Sequence, residues 1–426
     1  MTGFTVEVDQ NSYLPAGVGR VDAIITVQAP DTPVTAPPAD GLEIIILDCS
    51  TSMSGDRIIA ARRAAAEAIA QVRDGVAFAV IAGTATAEQV YPEGGTATSS
   101  ARTRAEATAK VQRLRANGAT AIGTWLTLAG QIADRHGVDR PGGVRHAILL
   151  TDGQNGERVA VFQSALDAVV GRFTCDCRGV GTDWRVDELR AIASALLGTV
   201  DIVADPADLA ADFRAIMAAA MGKTLADLAL RLWTPRTARV KFVKQVAPTI
   251  EDLTARRTES GNLRGDYPLG SWGAESRDYH VCVELVPGVV GEPALAAARV
   301  SVVRGDEVLG RGDVLAQWTD DTALSTRISR GVALYTGQAE LAEAIREGVA
   351  AQERGDLRTA TARLGRAVEL AQAVKEATGN DATARLLAEV VDVDPATGTA
   401  RLRAEASKAA RMTLDSRSTV TVRVRG

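Results

Sequence analysis

Cysteine, histidine and long apolar runs are all scarce in this sequence, and each scarcity closes a route. The 426 residues hold four cysteines, Cys49, Cys175, Cys177 and Cys282. So few in so long a chain build no disulfide framework. Three histidines, His136, His146 and His280, lie scattered, without a neighbouring cysteine or a paired spacing. That removes the usual nitrogen and sulfur zinc sets and leaves all three as structural residues. No apolar run approaches the roughly 20 residues of a membrane span. Residues 1–9 lack the basic and apolar regions of a secretory leader and read as a strand, so the cytoplasm is the expected location. Neither Gly-x-Ser-x-Gly nor the phosphate-cradling Gly-x-x-x-x-Gly-Lys-Ser/Thr loop occurs, which argues against serine hydrolysis and nucleotide hydrolysis. A formal net charge of −5 asks for no nucleic-acid partner.

What remains is the composition of a globular protein, 46% hydrophobic and 24% charged, on a chain long enough for two or three cores. Phe4 to Val8 and Val21 to Val27 alternate as strands. Four prolines between Ala29 and Asp40 mark an extended linker. The pattern then changes. Leu42 to Leu47 is almost wholly apolar, as suits a strand buried on both faces of a parallel sheet. Helical spacing over Asp56–Val72 follows, and strands and helices alternate to Met221, which predicts an α/β fold with a doubly wound, mostly parallel sheet. From Leu228 to Arg330 the helical spacing disappears and strands dominate, which predicts a β-sandwich. The two N-terminal strands have no core of their own and are expected to join it, so that the α/β domain is inserted between its parts. Leu341, Ile345 and Val349 mark one apolar helical stripe; Leu357, Ala360, Leu364, Val368 and Ala371 mark a second. The expected division is N-terminal strands 1–38, α/β domain 39–222, β-sandwich 223–335, a helical hairpin or three-helix segment 336–392, and a tail 393–426 whose last 26 residues are expected to be partly disordered. The last 26 residues carry seven Lys/Arg against two Asp/Glu.

The motif with chemical content is Asp48-Cys49-Ser50-Thr51-Ser52, directly after the apolar strand. In a doubly wound sheet, ligands bind outside the carboxyl ends of the strands, near the switch point. Asn117-Gly118-Ala119-Thr120 reaches the same edge, the glycine letting the backbone bend so that the Thr120 hydroxyl points inward. Thr151-Asp152-Gly153 ends the next apolar strand. Asp48, Ser50, Ser52, Thr120 and Asp152 therefore offer two carboxylates and three hydroxyls. These are hard donors suited to Mg²⁺, Mn²⁺ or Ca²⁺ rather than Zn²⁺. Each residue alone would serve as a strand-end or helix cap; the ordered set at one sheet edge points to a metal site.

Here the sequence resembles the von Willebrand factor A family, over roughly residues 40–222, through Asp48-x-Ser50-x-Ser52, Thr120 and Asp152-Gly153. The resemblance implies a metal-ion-dependent adhesion site, in which a partner's Asp or Glu completes the coordination of a divalent ion. Neutral hydroxyls quench little of the ion's charge, so an open position attracts a carboxylate. The wider organisation resembles bacterial, notably actinobacterial, proteins of this type. That implies partners such as protein kinases, phosphatases and phosphothreonine-reading proteins, with no nucleic acid and no membrane.

The expected function is a metal-dependent adaptor without enzymatic activity. Two alternatives differ in class. A Mg²⁺-dependent phosphotransferase would need a second acid two residues after Asp48, where Ser50 stands. An accessory subunit of an ATPase chaperone would copurify with a hexameric ATPase. Cys175 and Cys177 share one strand face and read as a buried pair. Arg-Gly-Asp occurs at Arg264, Arg304, Arg311 and Arg354, where turn preference and abundance account for it. Thr413 to Arg423 reads as a solvated tail or edge strand, with phosphorylation as the alternative.

Overall fold

Period-two alternation produces the N-terminal strands β1 (Thr5–Gln10), β2 (Tyr13–Pro15) and β3 (Arg20–Gln28). The computed structural model describes residues 3–30, 40–140, 142–394, 400–403 and 405–423. Most of the expected proline-rich linker, 31–39, lies outside them. The chain forms two compact units, Pro33–Ala226 with Gly270–Gly273, and Met1–Thr32 with Asp227–Leu269 and Ala274–Gly426.

The first unit runs β4 (Leu42–Asp48), α1 (Asp56–Gln71), β5 (Ala77–Gly83), β6 (Ala87–Tyr91), β7 (Ala97–Thr98), α2 (Ala101–Val111), α3 (Ile122–Asp139), β8 (Arg145–Thr151), α4 (Val159–Val169), β9 (Thr174–Val180), α5 (Val186–Ala195), β10 (Val200–Val203) and α6 (Leu209–Met221). The sheet order is β10-β9-β8-β4-β5-β6, with β7 also on β5. Its five central strands are parallel, and the β6 edge is antiparallel. Every residue of β4 is buried, as a strand covered on both faces requires. Burial of Ile44, Ile45 and Ile46 stabilises the unit by roughly 1.5–3 kcal/mol per side chain. On α1, Ile58, Ala61, Ala65, Ala68 and Ile69 recur at helical spacing and pack with Phe213 and Met217 of α6. From β4 the chain crosses to β5 on one side and later returns to β8 on the other. The switch point thus lies between β4 and β8.

The second unit continues with β11 (Leu225–Trp233), β12 (Ala238–Ala247), β13 (Glu251–Asp252), β14 (Thr258–Gly261), β15 (Arg264–Trp272), β16 (Ser276–Leu285), β17 (Leu295–Arg304) and β18 (Glu307–Thr319). They form sheets of order β1-β3-β16-β12-β13 and β14-β15-β11-β17-β18-β2. Both N-terminal strands of the expected pair lie in the first of these, with β3 against β16 over nine residue pairs. The four Arg-Gly-Asp words have local explanations. At Gly265 and Gly312 a Cβ would fall within 2.3 Å of Arg257 and 2.9 Å of Val8. Gly305 and Gly355 take the left-handed backbone of turns, φ +60° and +79°.

The helices α7 (Thr322–Ser325), α8 (Arg330–Glu353), α9 (Leu357–Thr378) and α10 (Ala382–Ala388) follow, then β19 (Val391–Val393), β20 (Ala400–Leu402) and α11 (Lys408–Ser416). Asp356 caps α9 by accepting from the Thr359 N–H at 3.1 Å. Gly348 admits Leu364 so closely that a Cβ would sit 2.6 Å from it. The expectation of partial disorder over the last 26 residues is corrected for the described ones, while 404 and 424–426 lie outside them. β19 and β20 pair, and α11 buries Met412 and Leu414, with Leu414 in the α8–α9 core. The apolar residues there are few but helically spaced, which a charge count conceals. Ser416 and Ser418 are buried, and their hydroxyls donate to Thr413 and Asp415 carbonyls, an arrangement that speaks against phosphorylation at these two. No helix among the described residues is long and apolar enough to cross a membrane. Truncation Leu414→Ala is expected to lower stability by about 2–5 kcal/mol in urea unfolding; an unchanged midpoint would mean that α11 contributes nothing to the fold.

Candidate metal centre

Asp48 ends β4 without exposure to solvent, and its carboxylate is held in place from two sides. The Ser50 backbone N–H donates to Oδ1 at 2.7 Å, and the Thr151 hydroxyl donates to Oδ2. Burial pushes the Asp48 carboxyl above its ordinary range, and the nearby Asp152 charge adds to this. The hydrogen bonds from Ser50 and Thr151 oppose it. Burial likewise pushes the neighbouring Cys49 thiol up to about 12.

Three loops converge on this point. Residues Thr51–Met53 form a single 3₁₀ turn, tied to the 117–120 loop by Thr51 N–H to Gly118 O at 2.9 Å and Asn117 N–H to Cys49 O at 2.7 Å. Gly118 has φ +90°, the left-handed turn that brings Thr120 round. Thr120 is in turn fixed from the third loop, its carbonyl accepting the Gly156 N–H at 2.8 Å. Asn155 and Glu157 accept the Ile122 and Gly123 N–H groups at the start of α3, satisfying amides that a helix leaves unpaired.

Ser50 and Ser52 hydroxyls lie 2.9 Å apart, and Ser52 donates to Asp152 Oδ1 at 2.6 Å. Gly153 reports where the oxygens point. A Cβ built there would come within 3.1 Å of Ser52 Oγ, 3.3 Å of Thr120 Oγ1 and 3.9 Å of Asp48 Oδ2. Oxygens from three segments thus face one small space that only glycine leaves clear. The donor set of carboxylates and hydroxyls fits Mg²⁺, Mn²⁺ or Ca²⁺. Among the described residues no group of three or more His, Cys, Asp or Glu gathers in metal-holding geometry, so this set depends on its hydroxyls.

The structure brings together all five residues singled out from the sequence and adds three. Thr151 sits inside the Thr-Asp-Gly triplet but reads as the end of a strand. Arg57, in the first turn of α1, donates to Asp152 Oδ2 at 2.7 Å and to Asp183 Oδ2 at 2.9 Å. Both hydrogen bonds raise the Arg57 pKa further above its ordinary value. No spacing in the sequence marks Arg57 or Asp183. Cys175 and Cys177 are buried on β9, their sulfurs 3.9 Å apart.

At the opposite end of the same strands lies a second charged cluster. His146 Nδ1 is 2.9 Å from both Glu43 oxygens, and Nε2 is 3.0 Å from Asp176 Oδ2. Asp176 also accepts from the Thr199 N–H and hydroxyl, and Arg178 pairs with Asp212. Burial disfavours the imidazolium, but the Glu43 charge and the Asp176 hydrogen bond outweigh it and raise the His146 pKa to about 10. Burial would also raise Asp176, yet His146 and Arg178 hold it below the usual carboxylate range, while burial leaves Glu43 raised. A raised histidine stabilises fully below its unfolded value and loses that contribution as pH climbs through the folded value. Stability is therefore expected to fall between pH 6.5 and about 10, and His146→Gln to be less stable at the acid end and to lack this slope in urea unfolding.

Comparison with known proteins adds the following. A family model described as the von Willebrand factor type A domain matches residues 43–202, and one described as the von Willebrand factor type A C-terminal domain matches 369–418. The chain is 48% identical to the von Willebrand factor type A protein from Catenulispora acidiphila, covering 99% of this chain and 98% of that one with a TM-score of 0.93. It shares its fold with the ArnB paralog VWA2 from Sulfolobus acidocaldarius, at 13% identity, TM-score 0.61 and 98% coverage of both chains. An uncharacterized protein of Synechocystis is 32% identical over 218 residues, 50% of each chain; the chain thus spans about half the length of that curated relative.

Proposed function

The chain belongs to the von Willebrand factor type A family, whose domains typically mediate protein–protein interaction and commonly bind a divalent metal, and from this we propose that it is a metal-dependent binding protein which captures an acidic side chain of a protein partner. The observation that carries the reading is the convergence of Ser52, Thr120 and Asp48 oxygens on the space beside Gly153. A divalent ion bound there supplies an open coordination position for a carboxylate. Ser50, Ser52 and Thr120 would hold it as neutral donors, so little of its charge is quenched within the protein. Asp48 and Asp152 would anchor it, directly or through water, since Mg²⁺ keeps much of its hydration. Thr151 and the Ser50 N–H orient the Asp48 carboxylate; Gly153 keeps the space clear.

In this reading the protein has no turnover of its own. Position 50 is a serine, which cannot serve as the acid that an aspartyl-phosphate phosphotransferase needs two residues after its nucleophile. The reading includes a cytoplasmic location, which suits four free and buried thiols. It also includes partners of the protein kinase, phosphatase or phosphothreonine-reading kinds.

The test is affinity purification from the native cell with and without EDTA, comparing the wild type with Asp48→Ala. Partner capture is expected to need both the metal and Asp48; capture that survives both changes would refute the proposal. Calorimetric titration with Mg²⁺, Mn²⁺, Ca²⁺ and Zn²⁺ adds a direct check. Thr151→Val, which unties Asp48, is expected to weaken the preferred ion by about 10–100-fold. Gly153→Ala is expected to weaken it as well while leaving thermal stability without metal nearly unchanged.

A further inference from the structure

We propose that Arg57 is a resident competitor of the divalent cation, setting the site's metal affinity below what its oxygen donors alone would give. The inference rests on the reading of this site as a cation site and adds how it is regulated. Asp152 is wholly buried, and both of its oxygens are engaged, Oδ1 by Ser52 and Oδ2 by Arg57. A buried carboxylate must be stabilised by hydrogen bonds or a countercharge, and Asp152 receives one of each. Arg57 provides the countercharge without any metal, so the centre keeps its geometry as an ion pair. An incoming divalent ion would meet a carboxylate already neutralised and a positive charge at close range. At the buried Asp152 end both effects are screened less than between two exposed groups.

The second arm of the fork gives Arg57 somewhere to go. Nη2 lies 2.9 Å from Asp183, on the loop after β9. The Arg57 side chain is 33% exposed and that of Asp183 58%, against 0% for Asp152. The guanidinium thus spans from the buried donor set to the rim. Were a cation to displace Arg57 from Asp152, the guanidinium would keep Asp183 as its anchor at the rim of the site. Its freed arm would then be available to an acidic side chain of the partner. The same residue opposes the metal before loading and favours the carboxylate after it.

The experiment compares the full-length wild type, Arg57→Met and Arg57→Gln by calorimetric titration with Mg²⁺ and Mn²⁺, and by thermal unfolding with and without EDTA. Asp48→Ala serves as the control for loss of the site. Arg57→Met is expected to bind Mg²⁺ tighter by about tenfold, the scale of one charge-assisted hydrogen bond. It should also melt lower than wild type in EDTA and gain more from Mg²⁺, because its buried Asp152 then lacks any other countercharge. Arg57→Gln retains a donor without the charge, and is expected to fall between the two and to be measurable should Arg57→Met not fold without metal. Equal or weaker Mg²⁺ affinity in both variants, with wild type binding normally and Asp48→Ala not binding, would overturn the role of Arg57. Absence of binding of either metal to folded wild type would instead overturn the metal site itself.

Discussion

A carboxylate without solvent at the end of a wholly buried strand is the constraint on which this architecture turns. Asp48 is tolerable there because the chain returns at once to donate the Ser50 N–H to it, and because β8 ends alongside with the Thr151 hydroxyl aimed at its second oxygen. Those two requirements dictate the path of the loop after β4 and the register of β8 beside it. They also bring Ser52 and Asp152 within hydrogen-bonding distance. The long loop before α3 is then pinned to both neighbours by backbone hydrogen bonds, which leaves Thr120 little freedom.

The two ends of β4 solve the problem of buried charge in opposite ways. Glu43 meets His146, whose imidazolium also faces Asp176. The charges there close on one another and leave nothing to recruit from outside. Asp48 meets hydroxyls and a backbone amide, and its neighbour Asp152 has a single guanidinium that is partly exposed. Negative charge at that end is compensated only by a guanidinium that reaches in from the rim. One strand thus carries a closed ionic lock at its start and an open anionic cradle at its end. The difference lies in whether the adjoining strand contributes a cation or a hydroxyl.

Much of this was legible in the sequence. The unbroken apolar run at Leu42–Leu47 could satisfy its environment only within a parallel sheet covered on both faces, and the alternation of strand and helix to Met221 followed. Asp48, Ser50, Ser52, Thr120 and Asp152 were legible because each sits at a strand or helix end, where a doubly wound sheet gathers its ligands. The C-terminal stretch was less readable. Its abundant arginines suggested a solvated tail, whereas Leu414 and Ala410 give α11 an apolar face that packs in the α8–α9 core, and Met412 is buried as well. The matched C-terminal family domain spans this same stretch.

Order along the chain thus settled which elements form and which edge of the sheet carries oxygen donors, because periodicity and side-chain chemistry are local properties. Pairing at a distance was another matter. Arg57 reaches Asp152 across 95 positions and Asp183 across 126, and Glu43 reaches His146 across 103. Nothing in a window of residues states where a long flexible side chain will find its countercharge. That is resolved when packed strands and helices bring the groups within 3 Å of one another and remove the water that would otherwise have served them.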